Sequence, residues 1–121
     1  MIDFLDYKQK FDNDGYFIFK NFVKSDFISQ IINEINNSQN TNKYFDNLNN
    51  LRRIEKLYDK GEYLLNLNEK ITILLKNVFD KEFLIFKDKF NAKPPGGEGF
   101  FAHYDGIFQF INFNDQKKRG W

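Results

Sequence analysis

The segment Gly96-Gly97-Glu98-Gly99-Phe100-Phe101-Ala102-His103-Tyr104-Asp105-Gly106 contains the only histidine of this 121-residue sequence, with an aspartate two residues later. The aromatic residues around the pair favour an extended strand, in which residues i and i+2 point to the same face. An imidazole and a carboxylate are two thirds of the two-histidine, one-carboxylate site that holds non-haem Fe(II) in oxygenases. The alternative is a hydrogen-bonded His–Asp pair at the end of a strand. The motif alone leaves both interpretations open.

The composition indicates one small folded domain. Hydrophobic residues make up 41% and aromatic residues 19% of the chain, and its sixteen phenylalanines predict a core built mostly from rings. A net charge of +1, with both signs interspersed, gives no electrostatic reason to expect a nucleic acid or an anionic membrane as partner. The absence of cysteine excludes disulfides and thiolate metal sites. With no apparent signal peptide and no apolar run of membrane-spanning length, we expect a cytoplasmic protein.

The first half of the chain alternates helical and extended patterns. The apolar spacing predicts a helix over residues 3–12, a turn at Asn13-Asp14-Gly15, a strand over 16–19 and a helix over 26–36 that Ser25 caps. Residues 36–50 are dominated by asparagine and predict a loop. We expect no domain boundary there, because neither side could bury a core alone.

The second half contains the polar residues of interest. A short strand is expected over 51–55, where Arg52 and Arg53 are either surface charges or contacts for an acidic substrate. A helix near 68–79 follows, and residues 82–93 predict a long strand. One face of that strand changes from apolar to polar at Lys87, Lys89, Asn91 and Lys93. Either a solvated edge or a basic pocket for an anionic cosubstrate explains this face.

The glycine-rich segment after this strand does not indicate a nucleotide site. Pro94-Pro95-Gly96-Gly97 ends the strand, and another predicted strand follows it. A phosphate-binding glycine loop opens a helix instead, so the P-loop and dinucleotide-binding interpretations are rejected.

Taken in order, these segments resemble the phytanoyl-CoA dioxygenase family of Fe(II)- and 2-oxoglutarate-dependent oxygenases. The resemblance spans nearly the whole chain and is most specific from Phe86 to Gly106, where bacterial-type members carry a Lys-Pro-Pro-Gly-Gly loop ahead of the His-x-Asp pair. It implies a mainly β fold, a double-stranded β-helix or jelly roll with helices outside the sheet. It also implies hydroxylation of a small organic substrate, coupled to oxidative decarboxylation of 2-oxoglutarate.

The resemblance also implies roles for particular residues. His103 and Asp105 match the first two iron ligands of the family. Asn91, Lys87 and Lys93 match positions on the strand that faces the 2-oxoglutarate cosubstrate or the substrate, and Lys89 shares that face as a substrate contact. On this basis the polar face of the 82–93 strand is expected to line a pocket near His103.

Two parts of the family pattern have no counterpart in the sequence. The family's distal histidine and its 2-oxoglutarate-binding arginine lie on strands later than the His-x-Asp pair. We therefore expect residues 1–121 to be the N-terminal part of a single oxygenase domain, with an incomplete iron site and no 2-oxoglutarate turnover of its own. The alternative is a non-catalytic binding or interaction domain on the same scaffold. Neither the identity of the substrate nor the oligomeric state follows from the sequence.

Overall fold

The computed structural model describes residues 1–97, Gly99 and Ala102, which contain three helices and one antiparallel sheet. The elements in chain order are α1 (Phe4–Asp14), α2 (Ser25–Asn37), β1 (Asn42–Phe45), β2 (Leu51–Glu55), α3 (Glu62–Phe79) and β3 (Lys89–Asn91). The strand order is β1-β2-β3, so β2 lies in the middle of the sheet. Helices α1 and α2 both pack against α3. None of the helices in this part of the chain is long and apolar enough to cross a membrane.

The predicted mainly β jelly roll is wrong. Within the described residues, helices of 11, 13 and 18 residues accompany strands of only four, five and three. The predicted strand over 82–93 is reduced to Lys89–Asn91. A strand requires a neighbouring strand for its backbone hydrogen bonds, and only these three residues pair with β2 along a ladder.

The segment 16–19, predicted as a strand, is irregular and packs its rings on helices instead. The Phe17 ring lies 5.4 Å from that of Tyr7 in α1 and 6.2 Å from that of Phe79 in α3. Phe79 also contacts Phe11 of α1, at 5.0 Å between ring centroids. These aromatic contacts join α1 to the C-terminal end of α3.

The ends of α1 follow from local sequence. The Asp6 backbone N–H donates to Asp3 Oδ1 at 3.2 Å, so Asp3 caps the first turn. Gly15 takes the left-handed conformation at φ 80° and donates its N–H to the Phe11 carbonyl, which is the C-cap that glycine favours. The predicted helix is therefore confirmed, with its end two residues later than expected.

Helix α2 is confirmed, but its predicted cap is wrong. Ser25 is the first residue of the helix, and the N-cap position belongs to Lys24, whose side chain makes no capping hydrogen bond.

The asparagine-rich segment after α2 contains a β-hairpin rather than a loop alone. Strand β1 pairs with the predicted strand β2, and Asp46 organises the connection between them. Its carboxylate accepts the backbone N–H groups of Leu48 at 2.9 Å and Asn50 at 2.8 Å. Asn49 adopts a left-handed conformation, which asparagine tolerates better than most residues.

The buried core is aliphatic, contrary to the predicted core of rings. Within the described residues the buried apolar side chains are those of Ile35 from α2, Ile54 from β2, Leu57 after β2, and Leu64 and Val78 from α3, and all but Val78 form one cluster. Ile54 is the most buried of them, with 2% of its surface exposed. The core thus lies between the sheet and the helices, and it fixes which face of β2 points away from them.

Candidate functional site

The sheet has one polar face, and the strand register defines its members. In β2, Arg53 lies opposite Tyr44 of β1 on one side and opposite Asn91 of β3 on the other. Glu55 lies opposite Lys89 in the next row of the same face. Directly opposed residues in an antiparallel pair project to the same side, and Ile54 between them points into the core. Asn42 of β1 lies opposite Glu55 on its other side. We call these residues the polar sheet face: Asn42, Tyr44, Arg53, Glu55, Lys89 and Asn91.

A charge cluster is centred on Glu55, whose side chain is only 12% exposed. Glu55 Oε1 lies 3.1 Å from Arg53 Nε and 3.3 Å from Lys87 Nζ, and the Tyr44 hydroxyl donates to Oε2 at 3.4 Å. Arg53 Nε and Glu55 Oε1 nevertheless make no aligned hydrogen bond within the described residues. Their contact is therefore an ion pair held by charge and distance rather than by hydrogen-bond geometry.

Arg53 has its orientation fixed by two neighbours. Its guanidinium carbon lies 4.4 Å from the centroid of the Tyr44 ring, a cation–π contact. Its Nε faces Glu55, and 30% of the side chain is exposed. An arginine held in this way presents its remaining donors in one geometry.

The predicted cosubstrate and substrate residues lie in and beside β3. Lys89 and Asn91 are exposed on the polar sheet face, and Lys87 precedes the strand and pairs with Glu55. Lys93 follows the strand and is exposed. The predicted metal ligands His103 and Asp105 lie outside the described residues.

The four polar residues do not line one common groove. Lys87 contributes to a groove of about 850 Å³ between α3 and the segment 83–88, whose wall includes Thr72 and Glu55. Lys93 borders a second groove of about 430 Å³ with Asn50 and Pro94. Lys89 and Asn91 line neither groove.

Asp88 positions this part of the chain. Its carboxylate accepts the backbone N–H groups of Lys56, Leu57 and Tyr58 at 2.5 to 3.1 Å. Lys56 has a left-handed backbone at φ 64°, where the chain leaves β2. Three hydrogen bonds to one carboxylate therefore connect the end of β2 to the residue that precedes β3.

Sequence reasoning missed Tyr44, Glu55 and Asp88. The alternation Arg53-Ile54-Glu55 in the predicted strand was a usable signal, because it places Arg53 and Glu55 on one face. Tyr44 carried no such signal, since its segment was predicted as a loop. The three N–H donors to Asp88 come from residues 30 to 32 positions away, and no local pattern indicates them.

Comparison with known proteins gives no relative. No protein-family model matches the chain, and neither the curated proteins nor the solved structures provide a significant match. Within the described residues, no group of three or more histidine, cysteine, aspartate or glutamate side chains is placed to hold a metal ion.

Proposed function

We propose that this chain contributes two iron ligands and part of the 2-oxoglutarate site to an oxygenase that hydroxylates a small organic substrate. The stretch from Phe86 to Gly106 carries the proposal. It joins the polar strand β3, the Pro-Pro-Gly-Gly turn and the His-x-Asp pair in the order of the phytanoyl-CoA dioxygenase family. The proposal uses these side chains and their order, and it does not depend on a jelly roll.

The donor set fits the metal that the proposal requires. Imidazole and carboxylate groups both bind Fe(II), so His103 and Asp105 would be its protein ligands. Bound Fe(II) would activate O2, one oxygen atom of which would become the substrate's hydroxyl group while the other enters succinate as 2-oxoglutarate loses CO2. Lys87, Asn91 and Lys93 would bind 2-oxoglutarate, whose two carboxylates require cationic and amide donors, and Lys89 would contact the substrate.

Two features of β3 support this assignment, although Lys87 and Lys93 border different grooves. Lys89 and Asn91 share the polar sheet face, and Lys87 is tied to that face through Glu55. After the strand, the Gly97 N–H donates to the Pro94 carbonyl at 2.9 Å and Gly96 has φ 79°. This is a β-turn with proline and glycine at its central positions, and it begins three residues after the last residue of β3.

Metal binding tests the proposal. The purified chain is titrated with Mn(II), an oxygen-stable substitute for Fe(II), and free Mn(II) is followed by electron paramagnetic resonance. His103→Ala and Asp105→Ala should each weaken binding about tenfold or more, because each removes one of the two protein ligands. The control is Asp59→Ala, which removes an exposed carboxylate next to Lys60.

A second measurement links the metal to the cosubstrate. 2-Oxoglutarate should tighten Mn(II) binding to the unchanged chain and have no such effect on His103→Ala. Equal Mn(II) affinity in the unchanged chain, His103→Ala and Asp105→Ala would show that the pair is not a metal site, and the oxygenase proposal would be abandoned.

A further inference from the structure

We propose that the polar sheet face binds the carboxylate of an organic acid, with Arg53 as the principal contact. The choice of an organic acid rests on the proposed function, whose cosubstrate is such an acid. The site itself follows from the register of the sheet, which places Arg53 directly opposite Asn91 and diagonally across from Lys89, the partner of Glu55.

The first reason is the orientation of Arg53. The Tyr44 ring supports the guanidinium at 4.4 Å and Glu55 faces its Nε at 3.1 Å. The two terminal Nη groups are then the donors that a ligand carboxylate meets. They can bind two carboxylate oxygens at once, the geometry in which arginine recognises acids most strongly. Because the side chain is already oriented, binding costs little additional conformational entropy.

The second reason is the local charge. The polar sheet face and Lys87 together carry three cationic side chains, Arg53, Lys87 and Lys89, against the single carboxylate of Glu55. Glu55 contacts two of these cations and is mostly buried, so the exposed part of the cluster is positive. A small anion is attracted to such a surface.

The third reason is the arrangement of neutral donors. Asn91 lies opposite Arg53 in the register, and cross-strand neighbours have Cβ atoms about 5 Å apart. A carboxylate bound to Arg53 is within reach of the Asn91 side-chain amide. The face thus offers one forked cation, one amide and one further cation in Lys89.

The experiment uses the metal-free 121-residue chain, labelled with ¹⁵N and titrated at constant ionic strength with 2-oxoglutarate or with propionate. The chemical shifts of the Arg53 Nε–H and the Asn91 side-chain amide should change as the acid is added and reach a plateau when the site is full. Arg53→Ala should weaken binding about tenfold or more. The affinity of Arg53→Lys should lie between those of Arg53→Ala and the unchanged chain, because lysine keeps the positive charge but cannot bind both carboxylate oxygens as a guanidinium does. Lys43→Ala is the matched control. Lys43 lies opposite Ile54, so this substitution removes one positive charge from the other face of the sheet.

The two ligands distinguish the source of the carboxylate. Saturation by 2-oxoglutarate alone assigns the site to the dicarboxylate cosubstrate, and saturation by both acids assigns it to a single carboxylate such as that of a substrate. The proposal is overturned if neither acid saturates the two signals, or if Arg53→Ala and Lys43→Ala bind equally well. If Arg53→Ala unfolds the chain, its amide spectrum will show this, and the affinity of Arg53→Lys for the two acids then tests the proposal. Because no metal is present, failure here is separate from failure of the His103 and Asp105 test.

Discussion

The N-terminus of helix α3 is capped by a side chain of another helix, α2. Either a change of that side chain or a change of the residue it packs against removes the cap. The Glu34 carboxylate of α2 accepts the backbone N–H groups of Tyr63 at 3.0 Å and Leu64 at 2.8 Å, in the first turn of α3. A methyl group at Gly61 would lie 2.2 to 2.6 Å from the carboxyl atoms of Glu34. Gly61 therefore leaves the space in which the Glu34 carboxylate binds.

Glu34→Ala removes both acceptors and a negative charge at the positive end of the helix. Losing a helix N-cap acceptor costs about 0.5–2 kcal/mol, and the charge at the helix end contributes about 0.3–1 kcal/mol. We expect the free energy of unfolding to fall by about 2 kcal/mol and the melting temperature by about 10 °C. Glu34→Gln keeps one acceptor oxygen and should lose roughly half as much.

Gly61→Ala gives the sharper result, because its sign depends on Glu34. In the unchanged chain the new methyl group displaces the Glu34 carboxylate, so the substitution should cost about as much as Glu34→Ala. Gly61 has φ −170°, which alanine also adopts. In the Glu34→Ala background the substitution should therefore be neutral, or stabilising by about 0.4–1 kcal/mol through the unfolded chain.

Urea unfolding followed by far-ultraviolet circular dichroism measures all four corners of this double-mutant cycle. Glu69→Ala, an exposed glutamate within α3, is the control and should change the stability little. Additive costs of Glu34→Ala and Gly61→Ala would refute the reasoning, since they would show that the two residues do not share one contact.

Three further predictions concern the sheet and its connections. Asp88→Ala should destabilise the chain by about 2 kcal/mol and speed hydrogen exchange at the Lys56, Leu57 and Tyr58 amides, because these amides lose their acceptor. The control Lys89→Ala changes the neighbouring exposed residue and should leave that exchange unchanged. Ile54→Ala should cost about 2–5 kcal/mol in urea unfolding because Ile54 is 2% exposed, while Ile18→Ala at a 67% exposed position should stay within about 0.5 kcal/mol. Hydrogen bonding from the Asn50 backbone holds the pKa of the Asp46 carboxyl below its ordinary value of 3.8. The ionised carboxylate therefore stabilises the fold above pH 3.8, and this contribution is lost as the pH falls through the lowered pKa. Melting temperatures measured from about pH 5 to pH 2 should fall less steeply for Asp46→Asn than for the unchanged chain.

The sequence by itself determined the elements whose signals are local. Asp3 and Gly15 mark the two ends of α1 within a few residues, and the apolar spacing of α2 predicts that helix. The predicted strand 51–55 matches β2 to the residue. In the candidate site, the same alternation was sufficient to place Lys89 and Asn91 on one face. These features depend on residues three or four apart in a helix, or two apart in a strand, so a single segment contains the whole signal.

The tertiary structure decided everything that needs a distant partner. Residues 16–19 have the composition of a strand, yet they lie on aromatic rings of α1 and α3. Strand β1 forms in a polar segment because β2 supplies its hydrogen bonds. Helix α3 begins at Glu62 rather than near residue 68, because Glu34 of α2 caps it. Likewise, Arg53 stacks on Tyr44 only because β1 pairs with β2, and Glu55 meets Lys87 only because the segment before β3 lies beside β2. Backbone hydrogen bonds and ion pairs between segments form only where those segments are packed together. In this chain the burial of the aliphatic core between the sheet and the helices determines which segments are in contact.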